Sequence, residues 1–359
     1  MAYALDPSGA ASAAVMEAGT PRKLFRRLTK DGHVEAESTL AADSGACAIP
    51  WYKLQRALAA LLPEDTIRLG REFDSYTCED DRVVLKFRGG ETVEARIVIG
   101  ADGNMSRLRA ALFEDEEPPK YAGSAIWRMF LSGEFPGLAE GILSVWTGDG
   151  QVFTLQQFGA GDEARVYVSA QSAWPDDDLG TLDRRRYVGA EDGGDSGGRS
   201  TNAERFARFA QQFEGFPQDV ISFAKEHVET ASILEHPIYY REVGRPWGRG
   251  RASLVGDAAH VIPPNMGMGT PLAFEDAAAL GLALAEHGCT PEALRAYEAA
   301  RRDRVGVIAT AAIERTGRYY KEKDDSANPF KPNPQELSKY IAEFKQEPVP
   351  SHLSHNCGL

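Results

Sequence analysis

The residues best placed to do chemistry lie in one run, 254–277. Apolar Leu254 and Val255 precede Gly256 and Asp257, and a loop rich in Pro and Gly follows before a helical pattern begins. This order predicts a buried strand with a carboxylate at its carboxyl end, where α/β folds bind ligands. A carboxylate there can accept two hydrogen bonds from a polyol such as ribityl or ribose.

The loop after this strand predicts a second half of the same site. Prolines such as Pro264 stiffen it, and Gly267 and Gly269 let the backbone approach a ligand closely. If a helix starts near Gly269 and Thr270, its free N–H groups and positive dipole end favour an anion, and Met268 contributes backbone to the same loop. The alternative is a capped strand–helix turn inside an ordinary core.

A second candidate site follows another apolar run and occupies residues 100–109. Asp102 and Gly103 predict a tight turn, and Ser106 is placed to cap the helix that carries Arg109. Asp102 and Arg109 therefore have two readings. They contact a ligand at the strand end, or they brace the turn.

Together these motifs resemble those of the FAD-dependent aromatic hydroxylases. The run 254–277 resembles the family's flavin-ribityl motif, and 100–109 matches its Gly-Ala-Asp-Gly-x-x-Ser-x-Val-Arg pattern with Leu108 in place of valine. Residues 121–128 resemble the strand that opens the substrate lobe, and 298–302 resemble the C-terminal helix. Within the family, the branch with salicylate hydroxylase, dihydroxypyridine hydroxylase and zeaxanthin epoxidase is the most similar.

The resemblance implies an α/β FAD-binding lobe with an inserted antiparallel-sheet substrate lobe. We expect the first lobe over 1–119 and 246–320, the substrate lobe over 120–245, and a Pro-rich tail over 321–359. The acidic, Gly-rich stretch 176–202 is interpreted as a mobile surface insertion, the alternative being an ordered lid.

The implied cofactors are FAD and, as reductant, NADPH or NADH. The implied reaction transfers one atom of molecular oxygen, through a flavin hydroperoxide, to an aromatic or polyene substrate. The resemblance implies that the residues already introduced bind the cofactor: Asp102, Gly103, Arg109, Gly256, Asp257, Pro264, Gly267, Met268, Gly269 and Thr270. No residue is assigned as a catalytic base, and His260 is interpreted as structural.

The chain also departs from the family pattern. Resemblance covers about 5–320, yet no strand–Gly-x-Gly-x-x-Gly–helix unit is present. We therefore expect the chain to begin roughly one βαβ unit late. Trp51 occupies the place of a common arginine, Met268 of a glutamine and Pro271 of an asparagine. Two alternatives follow: a non-catalytic remnant that acts as a binding or scaffold protein, and a truncated form of an ordinary flavin monooxygenase.

Composition excludes several other classes of protein. The net charge of −13 argues against a nucleic-acid partner, because phosphate binding needs a basic surface. The four cysteines are scattered without metal-ligand spacing, which predicts no metal site and a reducing compartment. No apolar run reaches the roughly 20 residues that span a bilayer. We therefore expect a cytoplasmic enzyme, and a homodimer stays open.

Periodicity places these motifs on elements. Helical patterns run over 10–28 (with a stop at 19–21), 51–62, 202–213, 219–226, 272–286 and 291–319. Residues 81–99 predict a β-hairpin whose end, 97–99, suits a parallel sheet. Alternating runs beyond 121 predict an antiparallel sheet. Five aromatic residues there have two equal interpretations, substrate pocket or core: Trp127, Phe153, Phe158, Tyr239 and Tyr240.

Overall fold

The structure is a computed structural model that describes residues 9–42, 44, 46–175, 200–228 and 231–329. Its helices are α1 (Ala10–Ala18), α2 (Trp51–Ala59), α3 (Arg107–Leu112), α4 (Asn202–Gln212), α5 (Gln218–Glu226), α6 (Asp257–His260), α7 (Gly269–His287) and α8 (Pro291–Thr316). Its strands are β1 (Thr20–Pro21), β2 (Leu24–Thr29), β3 (Val34–Thr39), β4 (Cys47–Ala48), β5 (Phe73–Cys78), β6 (Val83–Phe87), β7 (Thr92–Ala95), β8 (Val98–Gly100), β9 (Lys120–Ser132), β10 (Ile142–Gly148), β11 (Gln151–Phe158), β12 (Arg165–Ala173), β13 (Ser232–Tyr240), β14 (Gly248–Arg249) and β15 (Ala252–Leu254).

The larger sheet has seven strands in the order β13-β9-β12-β11-β10-β2-β3. Its central strands pair antiparallel, as the alternating pattern beyond residue 121 predicted. One face is covered by α4 and α5, where Trp127, Phe153, Phe209 and Phe213 are completely buried. The Phe side chains of α4 recur at helical spacing, so one face of that helix supplies the contact.

Two strands of this sheet come from the part of the chain that we expected to lie in the other lobe. β2 pairs parallel with β10 and antiparallel with β3. The helical prediction over 10–28 is therefore wrong after α1, which ends before Gly19. The predicted unit 1–119 is corrected in the same way, because residues 24–39 belong to the sheet of the substrate lobe.

The smaller sheet that carries the motifs has the order β14-β15-β8 among the described residues. β8 and β15 run parallel, with Gly100 opposite Leu254. The run 97–99 thus belongs to a parallel pair, as predicted. The β-hairpin consists of β6 and β7 only, and its second strand ends at Ala95, before this run begins. α7 and α8 pack against this sheet through a core that includes Leu272, Ala309 and Ala312.

The other helical predictions hold to within a few residues. α2 ends at Ala59 rather than at residue 62, and α8 continues into a single wide turn over Gly317–Lys321. The insertion predicted over 176–202 lies outside the described residues up to 199, and so does the tail from 330 onward. No helix among the described residues is both long enough and apolar enough to cross a membrane.

Candidate functional site

A sharp turn joins β15 to α6 and brings Asp257 to the carboxyl end of the parallel strands. Gly256 has φ 57° and ψ −139°, a conformation that L side chains rarely adopt. A Cβ at this position would lie 3.2 Å from the Cβ of Ala273 on α7. The next strand ends beside it, because the Val255 amide donates to the Gly100 carbonyl at 2.9 Å. The two predicted motifs therefore meet at one sheet edge.

We expect Gly256→Ala to lower the free energy of unfolding by about 1–3 kcal/mol. Both the backbone strain and the contact with Ala273 would contribute to this loss. Gly267→Ala is the matched control, since Gly267 also has a positive φ, 63°, but a Cβ there would meet no atom within 4 Å. Urea unfolding of both variants is the check, and a larger loss at Gly267 would contradict the prediction.

The Asp257 carboxylate is exposed at this turn, and no described residue donates a hydrogen bond to it. Neighbouring protein atoms nevertheless displace part of the water around it. Desolvation therefore raises the pKa of Asp257, and the nearby His260 opposes part of that rise. A Cβ on Gly269 would lie 3.9 Å from Oδ1, so this carboxylate faces the start of α7. Its acceptor sites are available to an external donor.

The start of α7 provides donors next to this acceptor. α7 begins at Gly269, as the loop pattern predicted, and Met268 supplies no side-chain cap. The amides of Gly269 and Thr270 donate to no described residue. The preceding turn, Pro264–Met266, ends at the left-handed Gly267, which turns the chain into α7. Free amides at the positive end of a 19-residue helix attract an anion.

Asp102 uses its carboxylate within its own turn. It accepts hydrogen bonds from the Ser106 hydroxyl at 2.6 Å and from the Arg107 and Leu108 amides at 2.8 and 3.2 Å. Ser106 in turn caps α3 by accepting from the Arg109 amide at 2.9 Å, as predicted. The amides at the start of α3 are thus already paired. Of this motif, the Gly103 turn, with φ 81°, remains the part whose backbone a ligand could approach.

Arg109 makes bracing contacts within the protein, and its cofactor-binding role stays a prediction. Its side chain is 1% exposed and pairs through Nε and Nη2 with both oxygens of Glu116, at 2.6 and 2.7 Å. Its Nη1 donates to the carbonyls of Ala258 and Ala259 in α6, at 3.1 and 2.9 Å. Arg109 therefore ties α3 to the helix that begins with Asp257.

A cluster of buried charges lies beneath this turn, and the sequence reasoning did not assign it. Asp276 on α7 is fully buried and accepts from the Gly256 amide at 2.9 Å, His260 Nε2 at 2.6 Å and Arg301 Nε at 2.9 Å. Burial raises the pKa of Asp276, but these three donors outweigh it and hold the pKa below its usual value. Glu275, also fully buried, pairs with Arg301 at 2.7 Å.

These pairings predict the sign of the pH dependence of stability. Burial also raises the pKa of Glu116, but Arg109 and Arg241 hold it below its usual value. Because its pKa is lower in the folded chain, Glu116 takes up a proton at higher pH in the unfolded chain than in the folded one. The stability that its ion pairs contribute is therefore complete above the pKa of the unfolded chain, and it is lost as pH falls through the pKa of the folded chain. We expect the difference in unfolding free energy between the unsubstituted chain and Glu116→Gln to shrink below about pH 4. Urea unfolding at successive pH values measures it, and a difference that grows on acidification would contradict the prediction.

The sequence profile of the FAD binding domain family matches residues 199–312, which include the Asp257 turn, α7 and most of α8. The 6-hydroxynicotinate 3-monooxygenase of Bordetella bronchiseptica is 30% identical over 75% of this chain and 65% of its own length. The chain is therefore similar in sequence to FAD-dependent aromatic monooxygenases. This confirms the resemblance seen in the two motifs.

Two further curated relatives show how far the similarity extends. The aurachin C monooxygenase/isomerase of Stigmatella aurantiaca is 29% identical over 74% of this chain and 63% of its own length. The chloroplastic zeaxanthin epoxidase of Arabidopsis thaliana is 29% identical over 72% of this chain and 37% of its own length. The chain thus spans less than two thirds of these curated relatives.

Two solved structures have the same fold as this chain. HpxO of Klebsiella pneumoniae, in complex with FAD and uric acid, superposes with a TM-score of 0.72 over 90% of this chain and 81% of its own, at 23% identity. The 2,6-dihydroxypyridine-3-hydroxylase of Arthrobacter nicotinovorans gives a TM-score of 0.64 over 91% of this chain and 81% of its own, at 19% identity. The predicted FAD-binding lobe with an inserted antiparallel sheet is confirmed at the level of the fold.

The aromatic residues for which substrate pocket and core were equal interpretations differ in where they lie. Trp127 and Phe153 are fully buried against α4 and α5, so for them the core interpretation is correct. Phe158 lies on the opposite sheet face, where strand alternation also places Phe130 and Tyr167. The Phe130 ring centroid is 4.9 Å from that of Tyr167 and 6.1 Å from that of Phe158.

A buried polar group accompanies these three rings. Gln156 pairs with Tyr167 in the sheet register and is 2% exposed, yet its Nε2 donates to no described residue. An unsatisfied buried donor costs free energy unless a ligand or water accepts from it. Tyr239 on β13, by contrast, packs edge-on against Tyr121, with the two ring centroids 6.0 Å apart. Tyr121 lies near the start of β9, whereas Phe130 lies near its end.

Proposed function

We propose that this chain carries the flavin-binding and substrate-binding parts of an FAD-dependent monooxygenase. The main observation in support is the Asp257 carboxylate, which receives no hydrogen bond from a described residue and faces the uncapped start of α7. One acceptor and several free donors at a parallel-strand edge fit a ligand that has both hydroxyl groups and an anionic part. FAD has both.

The roles follow from the chemistry of these groups. Asp257 would accept hydrogen bonds from ribityl or ribose hydroxyls, and the backbone from Gly267 to Thr270, next to Pro264, would donate to the anionic parts of the cofactor. The Gly256 and Gly103 turns would let the cofactor approach the strand ends. When bound, FAD supplies hydride acceptance from NADPH or NADH and activation of molecular oxygen. The protein's part is to hold it and to exclude water.

The substrate we propose is a small aromatic or polyene molecule that receives one oxygen atom. Supporting this are the rings of Phe130, Phe158 and Tyr167, together with the unpaired Nε2 of Gln156, on the sheet face away from α4 and α5. Rings pack well against aromatic rings, and the amide would orient a substrate carbonyl or hydroxyl. The cytoplasmic location and a homodimer stay predictions.

Two measurements on the purified chain test this function. FAD titration should quench flavin fluorescence with saturation, and FAD-loaded protein should oxidise NADH or NADPH with oxygen uptake when aromatic acids or phenols are supplied. A folded chain that never quenches FAD would exclude the cofactor site. Saturable FAD binding without NAD(P)H oxidation under any substrate would favour the non-catalytic alternative.

A further inference from the structure

The carboxylate of Asp276 contacts the chain on both sides of Asp257. Its Oδ2 accepts from the Gly256 amide at 2.9 Å and from His260 Nε2 at 2.6 Å, so it contacts the residue before Asp257 and the end of the same helical turn. Its Oδ1 accepts from Arg301 Nε on α8 at 2.9 Å. A fully buried group therefore links the turn to two long helices.

The helix that provides Asp276 also provides the free amides of the site. Asp276 lies seven residues, about two helical turns, after Gly269 on α7. The spacing between the Asp257 carboxylate and the start of α7 therefore depends on how firmly the turn is attached to α7. Among the described residues, the hydrogen bonds that attach the turn to α7 are the two to Asp276, and apolar packing, including that of Gly256 near Ala273, adds to them.

We propose that Asp276 is a positioning residue for FAD: by holding Gly256 and His260, it fixes Asp257 opposite the start of α7. This inference rests on the proposed function and adds a residue that does not touch the ligand. The charges of Asp276 and Glu275 are balanced by two arginines, since Arg301 pairs with both carboxylates and Arg304 pairs with Glu275. His260 Nδ1 has no hydrogen-bond partner among the described residues, so the ring is oriented by its bond to Asp276 and by Trp247, whose ring centroid lies 5.1 Å away.

The key variant is Asp276→Asn, which keeps the shape of the side chain. It removes the charge and turns one acceptor oxygen into an NH₂ donor, whereas all three contacts need an acceptor. Hydrogen bonds to a charged group are among the stronger ones in proteins, so we expect FAD to bind about 10- to 100-fold more weakly. His260→Gln, which leaves the Gly256 contact in place, should weaken binding less.

A matched control separates positioning from general stability. Ile308 on α8 is 1% exposed in the same core, and its aliphatic side chain makes no hydrogen bond to Asp276 or Asp257. Ile308→Val should lower the melting temperature while FAD affinity changes less than threefold. If Ile308→Val weakens FAD binding as much as Asp276→Asn does, the positioning role is overturned.

A double-mutant cycle gives the decisive readout. If Asp276 acts through Asp257, then adding Asp276→Asn to Asp257→Asn should weaken FAD binding by less than about threefold more. Full additivity of the two changes would contradict the proposal. The cycle is measured by flavin fluorescence in the full chain.

Amide hydrogen exchange tests the same idea without cofactor. In the unsubstituted chain the Gly256 amide should be protected, and Asp276→Asn should speed its exchange at least tenfold, with Ile308→Val changing it much less. Equal exchange in both variants would overturn the proposal even if FAD binds. A failure of the unsubstituted chain to bind FAD would instead overturn the proposed function, and the exchange comparison would then still decide whether Asp276 holds the turn.

Discussion

Asp257→Asn should weaken FAD binding about 10- to 100-fold while leaving the fold intact. The carboxylate is exposed, receives no hydrogen bond from a described residue, and faces Gly269 at the start of α7. Asn keeps one acceptor oxygen but replaces the other with a donor, so hydroxyl groups of the cofactor lose a charged acceptor. Flavin fluorescence titration of both proteins measures the change.

The same variant should not cost stability. Burial raises the pKa of Asp257, which means that its ionised form is disfavoured in the folded chain. For a raised carboxyl pKa, stability falls as pH rises from the unfolded to the folded value, so removing the charge is neutral or slightly favourable at pH 7. Because the group is exposed, we expect a change within about 0.5 kcal/mol.

A control variant completes this test. Asp303 is exposed on α8, so Asp303→Asn removes the same charge outside the site. It should leave both FAD affinity and the melting temperature unchanged. Equal FAD affinity in Asp257→Asn and Asp303→Asn would contradict the assignment of Asp257 to the cofactor. A carboxylate that is neutral for folding but required for binding is what a ligand site predicts.

The sheet edge was predictable from sequence because both of its motifs are local. Apolar runs ending at Gly100 and Leu254 predict buried parallel strands, and the carboxyl ends of such strands share an edge. The start of α7 at Gly269 follows from the glycines and prolines before it. The one-turn helix α6 was not predicted, since four residues are too few to show a period.

Long-range pairing was not predictable in the same way. β2 lacks strict alternation, since Arg26 and Arg27 are adjacent and most of its residues are half-buried, and its partner β10 lies more than 100 residues away. Asp276 and Arg301 lie on different helices, and charged residues on helices normally face solvent. An acidic pair at 275–276 facing arginines 301 and 304 is the pattern that could have indicated a buried network.

Arg109→Met should lower the free energy of unfolding by about 3–5 kcal/mol, the largest loss of stability expected here. Arg109 is 1% exposed and Glu116 12% exposed, so removing the guanidinium leaves a carboxylate with little access to water. Arg241, whose Nη1 lies 3.6 Å from Glu116, compensates only in part. The two carbonyls of α6 also lose their donor. Urea unfolding measures the effect.

The double variant Arg109→Met/Glu116→Gln distinguishes a brace from a binding residue. Removing both charges should restore a large part of the lost stability, because the cost lies mainly in the unpaired buried carboxylate. As a matched control, Arg26→Met breaks the ion pair with Glu37, whose side chains are 33% and 45% exposed, and should change stability by less than about 1 kcal/mol. If Arg109→Met instead leaves stability unchanged and weakens FAD binding, the guanidinium contacts the cofactor after all, and α3 is attached to α6 by packing alone.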